Sequence, residues 1–199
     1  NDPSNWCGGV PSNSTNVLIP ITGSGIYPAI SSATAKAHNL TIAAGASLIV
    51  NNYKLQISGT IINSGVIFDA SNGIIELNGT AVTQNIAGSL FTGNRLKDLW
   101  ISNANGVNLT GTNDTLKLSG VLKFGVSNAI LNANNNLTLL SSAAGTASVG
   151  DMTNNGVNSG NDIIGNVTVE RYIPNHFKAW QFLAVPTKGT TVNQSWQEG

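Results

Sequence analysis

The chain has 199 residues, of which 41% are hydrophobic and 9% are charged, whereas about 25% are charged in a typical globular domain. Nine basic and nine acidic residues cancel, so the net charge gives no reason to expect nucleic acid or an anionic membrane as a partner. A single cysteine excludes an internal disulfide. No apolar run approaches the roughly 18 residues of a membrane-spanning helix. These properties predict one domain with an apolar core and no membrane insertion.

Residues 1–36 are rich in proline and serine, and we interpret them as a lead-in segment with an N-terminal cap. Residues 37–170 consist of short runs that alternate apolar and polar side chains, which is typical of β-strands. Glycine and asparagine interrupt nearly every run, as at 72–73 and 105–106, and these residues favour sharp turns. The region therefore predicts many short strands joined by tight turns.

An apolar pair that flanks one other residue recurs along residues 37–170. Its copies are Leu40 and Ile42, Leu55 and Ile57, Ile75 and Leu77, Leu99 and Ile101, Leu116 and Leu118, Leu137 and Leu139, and Val167 and Val169. The steps between copies are 15, 20, 24, 17, 21 and 30 residues. Their mean is about 21 residues, the scale of a repeat architecture. Two segments nearly match, at 54–60 and 115–121, and their separation of 61 residues indicates about three turns.

A right-handed parallel β-helix of about seven coils explains this repeat. Each strand sends alternate side chains inward, and the stacked coils bury a continuous apolar column. The alternative is a β-sandwich, which would show turn signals every 8–12 residues without the longer period. The β-helix predicts six buried core residues in particular: Leu55, Ile57, Leu116, Leu118, Leu137 and Leu139.

Residues 171–199 differ in composition, since aromatic and basic residues replace the turn signals. The end of a solenoid exposes strand edges and an open core, so it needs a cover. We expect this segment to be a C-terminal cap or the start of a link to a following domain. Both ends of the chain resemble cuts in a longer precursor.

Several segments resemble modules in large secreted or cell-surface proteins of Bacteroidetes. They are residues 5–11 (NWCGGVP), 17–20 (VLIP), 27–28 (YP), 167–174 (VTVERYIP), 179–186 (AWQFLAVP) and 195–199 (SWQEG). The resemblance implies a β-helix repeat module of an extracellular protein. For a fragment of such a protein, it also implies export by the type IX secretion system, whose machinery would then be a partner.

The group of proteins that the chain resembles includes gliding adhesins and polymer-degrading proteins, so two functions stay open. The first is a non-enzymatic structural or adhesive module of a secreted bacterial cell-surface protein. Its expected partners are other domains of the same precursor and extracellular glycans. The alternative is a β-helix domain that binds or degrades polysaccharides, as a lyase or a hydrolase.

An enzyme of the alternative kind needs clustered acidic groups, as a general acid and base or as calcium ligands. Asp98 and Asp114 lie sixteen residues apart and are candidates for a loose stack near one coil. No Asp-Asp or Asp-x-Asp pair occurs, and neither His38 nor His176 has a nucleophile motif beside it. The sequence therefore predicts no catalytic residues and no cofactor.

Residues 151–162 are the best metal candidate, because oxygen side chains at several positions and a glycine at the sixth resemble part of a calcium loop. The candidate ligands are Asp151, Thr153, Asn155 and Asp162. The loop has only two carboxylates, and its last position is Asp where a calcium loop has a bidentate Glu. A solvated loop between coils is therefore the favoured interpretation, with Ca²⁺ as the alternative.

Two further features bear on glycans. The Asp114–Thr115–Leu116 segment resembles the short acceptor pattern for O-glycosylation in Bacteroidetes, with Thr115 as the acceptor, while a simple strand start is the alternative. Aromatic side chains that could stack on sugars are Trp100, Trp180, Trp196, Tyr53 and Tyr172. Most of them lie near the C-terminal end, which favours packing of the cap over sugar binding.

Overall fold

The apolar pairs lie on short parallel strands whose alternate side chains point inward. The computed structural model describes residues 6–111 and 114–175. Leu55 and Ile57 pair in register with Ile75 and Leu77 on the next coil, and all four side chains are buried. Strands stack in this way coil upon coil, which confirms the predicted parallel β-helix.

Twenty-one strands and two 3₁₀ turns make up the described secondary structure. In chain order the strands are β1 (Val17–Ile19), β2 (Ala29–Ile30), β3 (Ala35–Ala37), β4 (Leu40–Ile42), β5 (Ser47–Ile57), β6 (Ile61–Asn63), β7 (Ile67–Leu77), β8 (Gln84–Ala87), β9 (Arg95–Ile101), β10 (Val107–Thr110), β11 (Leu116–Leu118), β12 (Val121–Phe124), β13 (Ile130–Asn132), β14 (Leu137–Leu139), β15 (Ser141–Ser142), β16 (Gly145–Thr146), β17 (Ser148–Val149), β18 (Thr153–Asn154), β19 (Val157–Asn158), β20 (Asp162–Ile164) and β21 (Val167–Val169). The 3₁₀ turns are Gly88–Leu90 and Thr92–Asn94.

The largest sheet has ten strands and divides into two faces. The first face runs through β2, β5, β7, β9, β11, β14 and β21, and the second through β3, β5, β7, β9, β12 and β17. The long strands β5 and β7 take part in both faces. They change direction where the register shifts between Asn51 and Lys54, next to Asn52 with its φ of 59°. Asparagine tolerates this left-handed backbone better than most residues, which places the corner there.

Two smaller sheets make the third face. The first consists of β1, β4 and β6, and the second of β8, β10, β13 and β20. All their pairings are parallel. The chain makes both 3₁₀ turns directly after β8, and the side-chain amide of Asn63 in β6 donates a hydrogen bond to the carbonyl of Leu90 in the first of them.

The core is one continuous apolar column inside the three faces. On the first face, seven inward residues occupy successive levels: Ile30, Val50, Ala70, Leu96, Leu118, Leu139 and Val169. Six turns of about 20 to 30 residues connect these levels, within the range of a repeat architecture. The six predicted core residues are all at most 5% exposed, so that prediction is confirmed.

A β-sandwich is built from antiparallel strands. Among the described residues, antiparallel pairing occurs only in the small hairpins β15–β16 and β18–β19. The β-sandwich alternative is therefore wrong. The stacking also begins earlier than the boundary at residue 36, since Val17 in β1 already pairs with Leu40. Of the predicted C-terminal cap, residues 176–199 lie outside the described residues.

Candidate functional site

Stacking gathers the basic residues that the sequence scatters. Every lysine and arginine among residues 6–170 lies on a strand of the ten-stranded sheet and faces outward, and we call this surface the basic face. Its basic residues are Lys36, Lys54, Arg95, Lys97, Lys117 and Lys123. All except the half-buried Lys54 are exposed. The basic face also carries three carboxylates, those of Asp69, Glu76 and Asp98. Positive charge is therefore in excess on the two faces of the helix that this sheet forms.

The middle of the basic face holds a hydrogen-bonded carboxylate. Glu76 is only 7% exposed. The ammonium group of Lys54 lies 2.7 Å from its Oε2, and the amide of Gln56 donates to the same oxygen at 2.8 Å. The hydroxyl of Ser102 donates to Oε1 at 2.6 Å. Both carboxylate oxygens are therefore occupied by donors from neighbouring coils.

These contacts set the charge of Glu76. Burial by itself raises the pKa of the Glu76 carboxyl, because it removes water from the charged form. Hydrogen bonds from Lys54, Ser102 and Gln56, together with the positive charge of Lys54, outweigh burial and lower this pKa below its usual value. Glu76 is therefore a structural carboxylate that stays ionised at neutral pH, and a general acid would need the opposite shift.

Trp100 brings two lysines together next to Glu76. The ammonium group of Lys54 lies 3.7 Å from the centroid of the Trp100 ring, and that of Lys123 lies 4.5 Å from it. Both distances fit cation–π contacts, which hold the flexible lysine side chains in place. We call Lys54, Glu76, Trp100 and Lys123 the Trp100 cluster. Its net charge is positive, because one carboxylate faces two ammonium groups.

The two acidic candidates from the sequence, Asp98 and Asp114, make separate local contacts. Oδ1 of Asp98 accepts a hydrogen bond from the backbone N–H of Val121 at 2.6 Å, on the next strand of the second face. Oδ1 of Asp114 accepts one from the side-chain amide of Asn94 at 3.1 Å. Each carboxylate thus helps to join one coil to its neighbour, and the two acids bind different partners.

Residues 151–162, for which the sequence favours a solvated loop with a calcium site as the alternative, contain a β-hairpin. Strands β18 and β19 pair around Asn155 and Gly156, whose φ values of 51° and 83° are those of a tight hairpin turn. Oδ1 of Asp151 accepts hydrogen bonds from the backbone N–H and the hydroxyl of Thr153, both at 2.7 Å, and these lower the pKa of Asp151. Oδ1 of Asp162 accepts one from the N–H of Ile163. Within residues 6–111 and 114–175, no three His, Cys, Asp or Glu side chains gather as a metal site.

Thr115, the predicted glycosylation acceptor, is half-buried and lies immediately before β11.

Among the aromatic candidates for sugar stacking, Tyr53 and Tyr172 are 39% and 50% exposed, while Trp180 and Trp196 lie outside the described residues. Trp100 lies in the middle of the helix, on its outward side. The sequence therefore identified Trp100 as an aromatic candidate but did not identify the lysines and the carboxylate around it.

A separate cavity of about 860 Å³ lies at the N-terminal end of the helix. Apolar side chains form most of its wall, among them Trp6, Tyr27, Leu40 and Leu48. The exposed Cys7 also contributes to it, and Lys36 is the one charged residue among its described lining residues. The cavity therefore does not combine groups for acid–base chemistry.

None of the described helices has the length and apolar character that a bilayer crossing requires. The chain matches no family model, and neither curated proteins nor solved structures show significant similarity to it. A functional proposal therefore depends on the geometry of the basic face.

Proposed function

We propose that this chain is a non-enzymatic structural or adhesive module of a secreted bacterial cell-surface protein, and that it adheres through the basic face. One observation carries the proposal. The coils align six basic side chains on one sheet, five of them exposed, in a chain whose net charge is zero. Such an uneven charge distribution attracts an anionic partner to the two faces that carry the basic residues.

The environment of the acids supports adhesion over catalysis. Glu76 is ion-paired with Lys54, Asp98 binds the backbone of Val121, and Asp69 accepts a hydrogen bond from the N–H of Ser71. These carboxylates hold neighbouring coils or turns in place. A lyase or hydrolase instead needs acidic groups whose protons are free to reach a substrate.

In the full protein the module would act beside other domains of the same precursor. The β-helix would hold the basic face at a fixed orientation, since every coil is hydrogen-bonded to the next. Glycans outside the cell are the expected partners, and export by the type IX secretion machinery remains part of the proposal.

Beads that carry the purified chain test the proposed adhesion. We expect them to be retained on surfaces coated with bacterial polysaccharides. Replacement of Lys97, Lys117 and Lys123 by Gln should lower retention severalfold, because it removes exposed charge from the basic face. The matched control replaces Asn85 and Asn108, which face outward on the third face, by Gln and should leave retention unchanged. Equal loss in both variants would contradict adhesion through the basic face.

An enzyme assay tests the alternative. The purified chain should leave pectin, alginate and other acidic polysaccharides at full length, with or without calcium. Reproducible cleavage that Asp98→Asn or Asp114→Asn abolishes would replace the adhesive proposal with a degradative one.

A further inference from the structure

We infer that the partner of the basic face is an acidic polysaccharide, and that one of its carboxylate or sulfate groups binds at Lys123 and Lys54 beside Trp100. This inference rests on the proposed adhesive function and names its ligand class. In the Trp100 cluster, two ammonium groups lie within 4.5 Å of one ring centroid.

The two lysines of the cluster have different roles. Lys54 is half-buried and neutralises Glu76. Lys123 is exposed, and no carboxylate forms an ion pair with it among the described residues. Its contact with Trp100 restricts the side chain, so less conformational entropy is lost when an anion binds. Lys123 is therefore a prearranged cation with unused hydrogen-bonding capacity.

The rest of the basic face fits a ligand that extends beyond one anionic group. Lys117 and Arg95 are register partners on neighbouring coils of the first face, and Lys97 follows on the same strand as Arg95. Neighbouring strands are about 4.8 Å apart, so these charges recur at short intervals along the helix. A polymer with repeated anionic groups can contact several of them at once, which strengthens binding.

Polar neighbours favour a sugar polymer over a nucleic acid. Gln56 and Ser102 border the Trp100 cluster and can also bind hydroxyl groups, which sugars carry in abundance. The carboxylates of Asp69 and Asp98 interrupt the basic residues and would repel a densely charged phosphate backbone. An acidic polysaccharide presents fewer charges per unit length and more hydroxyl groups.

Binding of short oligosaccharides to the full chain tests the inference. The probes are an oligogalacturonide with carboxylates, a sulfated dextran oligosaccharide, neutral dextran of similar length and a single-stranded DNA oligonucleotide. We expect Kd values for one or both acidic sugars to be lower than for neutral dextran and DNA, and to rise with salt concentration.

Variants locate the binding point. Lys123→Gln should raise the Kd for the acidic sugar roughly tenfold, the loss expected for one charge-assisted contact. The matched control is Arg171→Gln, which removes an exposed positive charge that follows β21 and does not belong to the basic face. It should change the Kd less than about twofold. Trp100→Phe should abolish the fluorescence change that the bound sugar causes in the wild-type chain. Thermal unfolding of each variant provides the folding control.

The outcomes separate this inference from the proposed function. Binding to neutral dextran with the same Kd as to acidic sugars would overturn the inference while leaving an adhesive module. Equal losses in Lys123→Gln and Arg171→Gln would overturn the Trp100 cluster as the binding point. Tighter binding of DNA than of the acidic sugars would overturn the ligand class. Failure to bind any sugar, together with no retention of coated beads, would overturn the adhesive function itself.

Discussion

The ammonium group of Lys54 lies 3.7 Å from the centroid of the Trp100 ring, although 46 residues separate the two in the chain. Lys54 belongs to β5 and Trp100 to β9, so the lysine side chain reaches across β7. On the way its ammonium group pairs with Glu76. This contact exists because parallel coils align outward side chains from distant parts of the sequence, and it ties three coils together.

Acid should weaken the fold through Glu76. Because the pKa of Glu76 is lower in the folded chain than its usual value of 4.5, its contribution to the free energy of unfolding is fully present above that value. The contribution is lost as the pH falls through the folded pKa. Between about pH 5 and pH 3, urea unfolding should show a steeper loss of stability for the wild-type chain than for Glu76→Gln. Parallel pH profiles would mean that the contacts of Glu76 add nothing.

Truncation in the core should be costly. Leu99 is fully buried between Ile75 and Leu122 on the second face. Leu99→Ala should lower the free energy of unfolding by roughly 2–5 kcal/mol, because it removes apolar contacts and leaves a cavity. Leu18→Ala is the matched control, since Leu18 lies on a strand but is 60% exposed, and should cost less than about 0.5 kcal/mol. Chemical unfolding of both variants provides the comparison.

Gly65 should not tolerate a side chain. A Cβ at this position would lie 2.5 Å from the carbonyl oxygen of Ala46 and 2.6 Å from Cγ2 of Ile42, so the turn could not stay so close to the preceding coil. Gly65→Ala should lower the free energy of unfolding by about 1–3 kcal/mol, as overpacking does. Gly23→Ala should have little effect, because a Cβ there has no atom within 4 Å. Equal unfolding midpoints for the two variants would contradict the close approach of the coils.

The buried side chain of Gln84 should be essential to its coil. Its amide donates hydrogen bonds to the carbonyls of Ile57 and Gly59, and its Oε1 accepts one from the N–H of Gly79. Gln84→Leu keeps a similar volume but removes these hydrogen bonds and leaves the N–H of Gly79 without its acceptor, so it should cost roughly 1–3 kcal/mol. The control is Asn85→Leu at the neighbouring exposed position, which should be nearly neutral. A free energy of unfolding for Gln84→Leu equal to that of the wild-type chain would contradict this role of the amide.

The sequence predicted the core because its apolar pairs face inward wherever they occur. The division of each coil into faces explains why the steps between pairs are irregular. The steps of 20 and 24 residues connect pairs within the second face, and those of 21 and 30 connect pairs within the first. The steps of 15 and 17 residues pass from one face to another. The similar segments 54–60 and 115–121 likewise lie on different faces, so their separation does not count three whole turns.

The basic face was not predictable in the same way. Whether two lysines share a surface depends on coil lengths and on register shifts, such as the one at Asn51, that no local pattern encodes. Gln84 is a similar case, since it occupies an inward position whose register partner Val107 is apolar, as is Leu131 on the coil after that. At residues 151–162 the sequence favours a solvated loop over a calcium site, and the structure has a hairpin turn there, at Asn155 and Gly156.

The alignment of distant residues in one outward column can be measured with an engineered disulfide. Lys36 and Gln56 are register partners, and neighbouring strands bring Cα atoms within the range that a disulfide spans. In a Cys7→Ser background, Lys36→Cys with Gln56→Cys should close an intramolecular disulfide on mild oxidation, seen as the loss of free thiols in the monomer. Lys36→Cys with Lys123→Cys is the control. Three strands separate that pair, about 19 Å apart at the usual strand spacing, so it should stay reduced. Failure of the first pair to close, or closure of both pairs, would contradict the stacking that creates the basic face.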